Sequence, residues 1–191
     1  MKKILLAICV SSLLGCQSSV FKKEVSELLN VNNAEIVNSK GTDEFGGFGE
    51  GYTIEVYELS DKTIKDFENK KTKELPVKKD DSTWQKKDWS KTPIDSSFSE
   101  IFIMGLNYSS GNKKIETELK EIKQLVEKSE VYYSFYYKPD KENPQDVQLF
   151  ILDVPSRKLY TIEMNWTSQD LIWQGYSCKC VMHIGLVLCG N

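Results

Sequence analysis

Apolar residues recur at helical spacing in three stretches of the chain and alternate with polar ones in several others, so helices and strands are both expected. From Val20 to Asn30, the residues Phe21, Val25, Leu28 and Leu29 fall on one helix face, with Lys22, Lys23, Glu24 and Glu27 around them. Core packing is the usual fate of such a stripe, and a lipid surface is the alternative. A second helix is expected from about Asp61 to Asn69. Ser60 is a natural N-cap, Leu59 and Ile64 stand where a hydrophobic staple needs them, and Lys70 and Lys71 follow at the end favoured by the helix dipole. The clearest helix runs from Lys113 to Glu130. Gly111-Asn112 opens it, and Ile115, Leu119, Ile122 and Val126 trace its apolar face.

Strands are expected elsewhere. Ala34 to Ser39 is a weak one, and Tyr52, Ile54 and Val56 alternate with Thr53, Glu55 and Tyr57. Between these lies the glycine-rich Gly46 to Gly51; it opens a strand rather than a helix and lacks a Gly-Lys-Ser/Thr ending, so it reads as a turn or bulge and not a phosphate cradle. The apolar run Ile101 to Met104 predicts a buried strand within Phe98 to Tyr108. Val131 to Tyr137, Val147 to Val154 and Lys158 to Glu163 predict three more, whose short links through Pro139 to Pro144 and Pro155 to Arg157 make them antiparallel neighbours. In the first of these, Val131, Tyr133, Phe135 and Tyr137 share one face and Tyr132, Ser134 and Tyr136 the other. The element order predicts an α+β domain: a mostly antiparallel sheet with two or three helices packed on one face.

The stretch from Lys70 to Lys91, which reads as a long loop, changes the picture, because eight lysines stand there against four acids with Trp84 and Trp89 among them. Lysine beside an aromatic ring suits an anionic partner or a membrane interface. Lys78, Lys79, Trp84, Lys86, Lys87 and Trp89, together with Tyr132 and Tyr136 on the tyrosine-rich strand, therefore form the candidate binding surface. The alternative folds the tryptophans back over the core and pairs the tyrosines across the sheet.

Composition narrows the class. The chain has 191 residues, 40% hydrophobic and 28% charged, enough for one domain with a real core. With 25 basic against 28 acidic side chains and a net charge of -3, no general nucleic-acid partner is expected.

The N-terminus carries Lys2 and Lys3, an uncharged stretch from Ile4 to Leu14, and then Leu13-Leu14-Gly15-Cys16. That order has the basic, apolar and small-residue parts of an export leader. Its ending resembles the lipobox of bacterial lipoproteins, although Leu14 is bulkier than the Ala or Ser usual at that position. The resemblance implies that residues 1–15 are a signal peptide cut before Cys16, whose thiol carries the lipid, and that the membrane is a partner through that anchor. Gln17 in place of the aspartate that retains such proteins implies an outer-membrane site facing the periplasm. Residues 16–19 then form a short tether, and 20–165 a single α+β domain.

Beyond Glu163 only Asp170 and Lys179 carry charge, and Cys178, Cys180, His183 and Cys189 cluster there. Residues 166–191 thus read as a distinct Cys- and Trp-rich segment. The Cys-x-Cys-x2-His-x5-Cys spacing is not a tetrahedral zinc layout, so no metal is expected. In an oxidising compartment a bridge from Cys189 to Cys178 or Cys180 competes with free thiols. His183 is the sole histidine, without an acidic partner nearby, and no zinc-protease, P-loop or Rossmann signature is present, so no cofactor is implied. The expectation is a non-enzymatic envelope lipoprotein that binds an anionic, glycan or protein partner. An inhibitor or immunity-type lipoprotein blocking a toxic enzyme, and a small cell-wall hydrolase using paired carboxylates, are the alternatives.

Overall fold

A computed structural model describes residues 21–45, 51–78, 81–108 and 111–165. Cys16, Lys79, the Gly46 to Glu50 segment, and Cys178, Cys180, His183 and Cys189 lie outside the described residues. The chain forms the expected α+β fold around a six-stranded antiparallel sheet. Helix α1 covers 21–28 and precedes the hairpin pair β1 (Ile36–Phe45) and β2 (Gly51–Leu59). Helix α2 (Asp61–Glu68) leads to β3 (Gln85–Lys91), then α3 (Ser99–Leu106), α4 (Lys113–Leu125), β4 (Val131–Lys138), β5 (Asp146–Asp153) and β6 (Lys158–Asn165). The sheet order is β1-β2-β6-β5-β4-β3, with every neighbouring pair antiparallel.

Both faces of this sheet are covered. Helices α3 and α4 bury Ile101, Phe102, Ile115 and Ile122 against Tyr133, Phe135, Leu149 and Ile162 on one face. Helices α1 and α2 bury Val25, Leu29, Ile64 and Phe67 against Tyr132, Phe150, Leu152 and Leu159 on the other. Among the described residues each face carries two helices, which is why β4 is buried at every position from Val131 to Tyr137. The alternation expected within β4 holds, but both of its faces are core, so tyrosines fill each of them.

Local chemistry explains the helix ends. Ser60 Oγ accepts the Thr63 N–H at 3.2 Å, and the staple residues Leu59 and Ile64 are both buried in one cluster. Asn112 Oδ1 accepts the Lys114 N–H at 3.1 Å to start α4, and Gly111, at φ 74°, supplies the left-handed turn before it.

Two expectations are corrected. The run from Phe98 to Tyr108 is not a strand but helix α3. Asp95 accepts the Ser97 N–H at 3.0 Å and opens a short 3-10 turn, Ser96–Phe98, that continues into the helix. Ile101, Phe102, Gly105 and Leu106 then face the sheet while Ile103 is 49% exposed, which is helical spacing. Gly105 permits the close approach: an added Cβ would lie 3.3 Å from Leu149 Cδ2, and the glycine carbonyl accepts the Tyr52 hydroxyl at 2.5 Å. Second, Lys70 to Lys91 is not all loop. Its last part is the edge strand β3, which pairs with β4 and bulges between Lys87 and Ser90. Lysines on a short, bulged edge suit solvent and discourage edge-to-edge pairing.

A candidate binding cleft

The register of the sheet lays out, on the face covered by α1 and α2, rows of side chains whose polarity changes along the strands. In one row Tyr57, Leu159, Leu152 and Tyr132 are paired neighbours, and all four are buried core. Two residues further along, the partners are Glu55, Thr161, Phe150 and Ser134, and two beyond that Thr53, Glu163, Gln148 and Tyr136. Alternate positions on each strand share a face, so this gradient is written into the inward positions of β2, β5 and β6. The polar end of the face opens as a cleft of about 520 Å³. Helix α1 supplies one wall through Glu24, Val25, Glu27 and Leu28, and Lys78 and Asp81 supply another.

The walls are held by identifiable bonds. Tyr136 donates its hydroxyl proton to the Pro76 carbonyl at 2.5 Å, and burial pushes that hydroxyl up to about 12. Asp88 on β3 accepts the Leu75 N–H at 2.9 Å, and Lys86 Nζ donates to the Leu75 carbonyl at 2.6 Å. The segment carrying Lys78 is thereby tied to β3 and β4. On the opposite wall, Trp89 Nε1 donates to the Leu28 carbonyl at 3.1 Å and fixes the end of α1.

Among the described residues the charge lining the cleft is unbalanced: five carboxyl groups, from Glu24, Glu27, Glu55, Asp81 and Glu163, accompany one ammonium, from Lys78. Asp81 is paired with Lys138 at 3.3 Å. Glu55 accepts the Tyr57 hydroxyl at 2.5 Å, and burial followed by this bond raises the Tyr57 pKa well above its ordinary value. Glu163 lines the cleft and is exposed. Desolvation pushes its carboxyl above the usual carboxylate range; Lys78 opposes that shift, and Glu55 and Glu24 add to it. Glu24 is raised too, by desolvation first and then by Glu55 and Glu27.

Lys78 lies with Nζ 4.1 Å from the centre of the Trp84 ring and 4.9 Å from that of Tyr136. Desolvation lowers its pKa, opposed by Glu163. Neither Lys78 nor Glu163 has a hydrogen bond or an ion pair within 4.0 Å among the described residues.

No known protein family, curated protein or solved structure matches the chain. The site is therefore read from its own chemistry.

The candidate surface expected from the sequence is divided by the fold. Lys78, Trp84 and Tyr136 meet at the rim of the cleft, where Lys138 also approaches Trp84, at 4.8 Å. Trp89 and Tyr132 instead join the core, each packing edge-on against Phe67. Lys86 turns to Leu75 and Asp88, whereas Lys87 lies on the other face, 5.3 Å from the Phe98 ring and 3.8 Å from Asp95. Sequence reasoning passed over Glu24, Glu55 and Glu163. On the strands the signal was one glutamate each on β2 and β6, Glu55 and Glu163, on the face that carries Tyr57 and Leu159 in the core. It has meaning only once that face is known to be covered by helices. Among the described residues no group of three or more His, Cys, Asp or Glu is placed to hold a metal ion.

Proposed function

We propose that the protein is a lipid-anchored cell-envelope lipoprotein that works as a binding protein, with the cleft beside α1 as its ligand site. The observation that carries the binding reading is a concave site lined by two charged groups, Lys78 and Glu163, that lack hydrogen-bond and ion-pair partners among the described residues. Lys78 is half-buried and Glu163 is exposed to the cleft, and a ligand that brings each a counter-charge gains a charge-assisted contact at both. The cleft volume falls within the ~300–1,000 Å³ range usual for small-molecule sites. Support for the anchor is the Leu13-Leu14-Gly15-Cys16 ending, which stands just before α1. No helix among the described residues is long and apolar enough to cross a membrane. Acylation at Cys16 supplies the attachment, and the outer-membrane, periplasm-facing site follows from Gln17.

Two measurements test the halves separately. Cys16→Ser moves the protein from the membrane to the soluble fraction if the thiol is the anchor; retention at the membrane refutes it. A photoreactive residue replacing Gln148, in the cleft, captures a ligand that one replacing Val37 does not; equal labelling at the two positions refutes the cleft.

One observation favours a second reading. Glu55 and Glu163 occupy diagonal positions on adjacent strands and both line the cleft, and a carboxylate-pair hydrolase acts through two carboxyl groups that face one site. Release of soluble fragments from wall material, lost in Glu163→Gln, would establish that activity in place of simple binding.

A further inference from the structure

Granted the binding reading of the cleft, on which this inference rests, the charge pattern also specifies the class of ligand. An anion alone would satisfy Lys78 but meet Glu24, Glu55 and Glu163, which have no ion pair among the described residues, whereas Asp81 and Glu27 are matched by Lys138 and Lys23. A cation alone would satisfy Glu163 but leave the Lys78 ammonium unmatched over Trp84 and Tyr136. The two groups are close enough to shift each other's protonation, yet they are not in contact. A molecule with one charge of each sign, seated between them, satisfies both.

The geometry points to a small zwitterion, an amino acid or short unmodified peptide, held with its ammonium among Glu24, Glu55 and Glu163 and its carboxylate at Lys78. The buried ring of Phe150 on the floor, with Val25 and Leu28 on the wall, offers an apolar surface to the ligand's carbon skeleton. A volume of about 520 Å³ admits a few residues and no folded partner. The surplus of carboxylates adds a preference: a peptide with a basic side chain binds more tightly than a neutral one, and an acidic one least. The same surplus disfavours phosphate, nucleotides and anionic lipid headgroups.

The test uses the detergent-solubilised full chain. The free amino acids and the complete set of L-dipeptides are screened by thermal shift, and the tightest binder is measured by calorimetry beside its N-acetylated and C-amidated forms. Each cap removes one charge-assisted contact and is expected to weaken binding about tenfold or more. In Lys78→Met the C-amide loses its penalty and the N-acetyl form keeps it; in Glu163→Gln the pattern reverses. Capping the ligand requires no change to the protein, so a variant that fails to fold leaves the test intact. Capped and free peptides binding alike would overturn the zwitterion. So would the absence of any binder in the set while Gln148 still captures a ligand in cells, and the cleft would then stand with a different occupant. Absence of both binding and capture would remove the cleft reading as well.

Discussion

Replacing Trp89 with alanine separates a core tryptophan from a surface one. Trp89 is 7% exposed; its indole packs edge-on to Phe67 at 5.5 Å between ring centres and tilted against Phe150 at 6.4 Å. A buried tryptophan removes roughly 200 Å² from water. At about 25 cal/mol/Å² this amounts to ~5 kcal/mol, an upper value because the unfolded chain already shelters some of that surface. Truncations of this size cost about 3–5 kcal/mol when the cavity only partly collapses. The change also deprives the Leu28 carbonyl of its donor. Against a total of ~5–15 kcal/mol for a domain, a loss of about 3–5 kcal/mol takes a fifth or more of the stability. Urea unfolding followed by far-UV circular dichroism reads it directly. Trp84→Ala is the matched control: this half-buried ring at the cleft rim gives up cation–π contacts worth about 0.5–1 kcal/mol each at exposed sites. A Trp89→Ala stability within ~1 kcal/mol of the parent, or a larger loss in Trp84→Ala, would refute the packing described for β3. Because Trp89 holds the end of α1, its alanine variant should also loosen the cleft.

Further outcomes follow from individual contacts. Ser60→Ala removes the cap of α2 and should cost about 1 kcal/mol in the same unfolding assay; no change would mean that the cap is replaced by water. Gly105→Val drives a branched side chain toward Leu149, already 3.3 Å from an added Cβ, and should destabilise by about 1–3 kcal/mol, whereas a neutral result would show α3 standing off the sheet. The Glu163 carboxyl titrates above the usual range in the fold, so the folded form holds its proton more tightly than the unfolded chain does. This favours the fold fully below the ordinary glutamate range and is lost as pH rises through the raised value. Glu163→Gln should therefore melt above the parent at neutral pH, with the gap closing on acidification. A variant that melts lower at neutral pH would mean that the carboxylate already has a partner.

Several elements were legible because their cause is local. The Ser60 cap and Leu59–Ile64 staple, the Asn112 start of α4, the alternation of β4 and the short links that join β4, β5 and β6 each depend on residues within a few positions, and all are present in the fold. The α3 segment was not legible. Four consecutive apolar residues fit a buried strand and a buried helix equally, and the Asp95 turn that decides between them lies outside the run. The cleft was half legible. Lys78, Trp84 and Tyr136 stood out as types, but the same reasoning selected Trp89 and Tyr132, which differ from them only in what covers them.

By itself the sequence determined the α+β class, the antiparallel order of the last three strands and the starts of α2 and α4, since periodicity, caps and short links act within a single element or between neighbours. It also contains the lipobox-like ending on which the proposed anchor rests. Tertiary structure alone decided that helices cover both sheet faces, that β3 closes one edge, and that Glu55 and Glu163 face inward beside Lys78. Period-two alternation says which residues share a face of a strand, but not whether that face meets a helix or water. That choice comes from the assembled layers, and it turns alternate glutamates into the lining of a cleft.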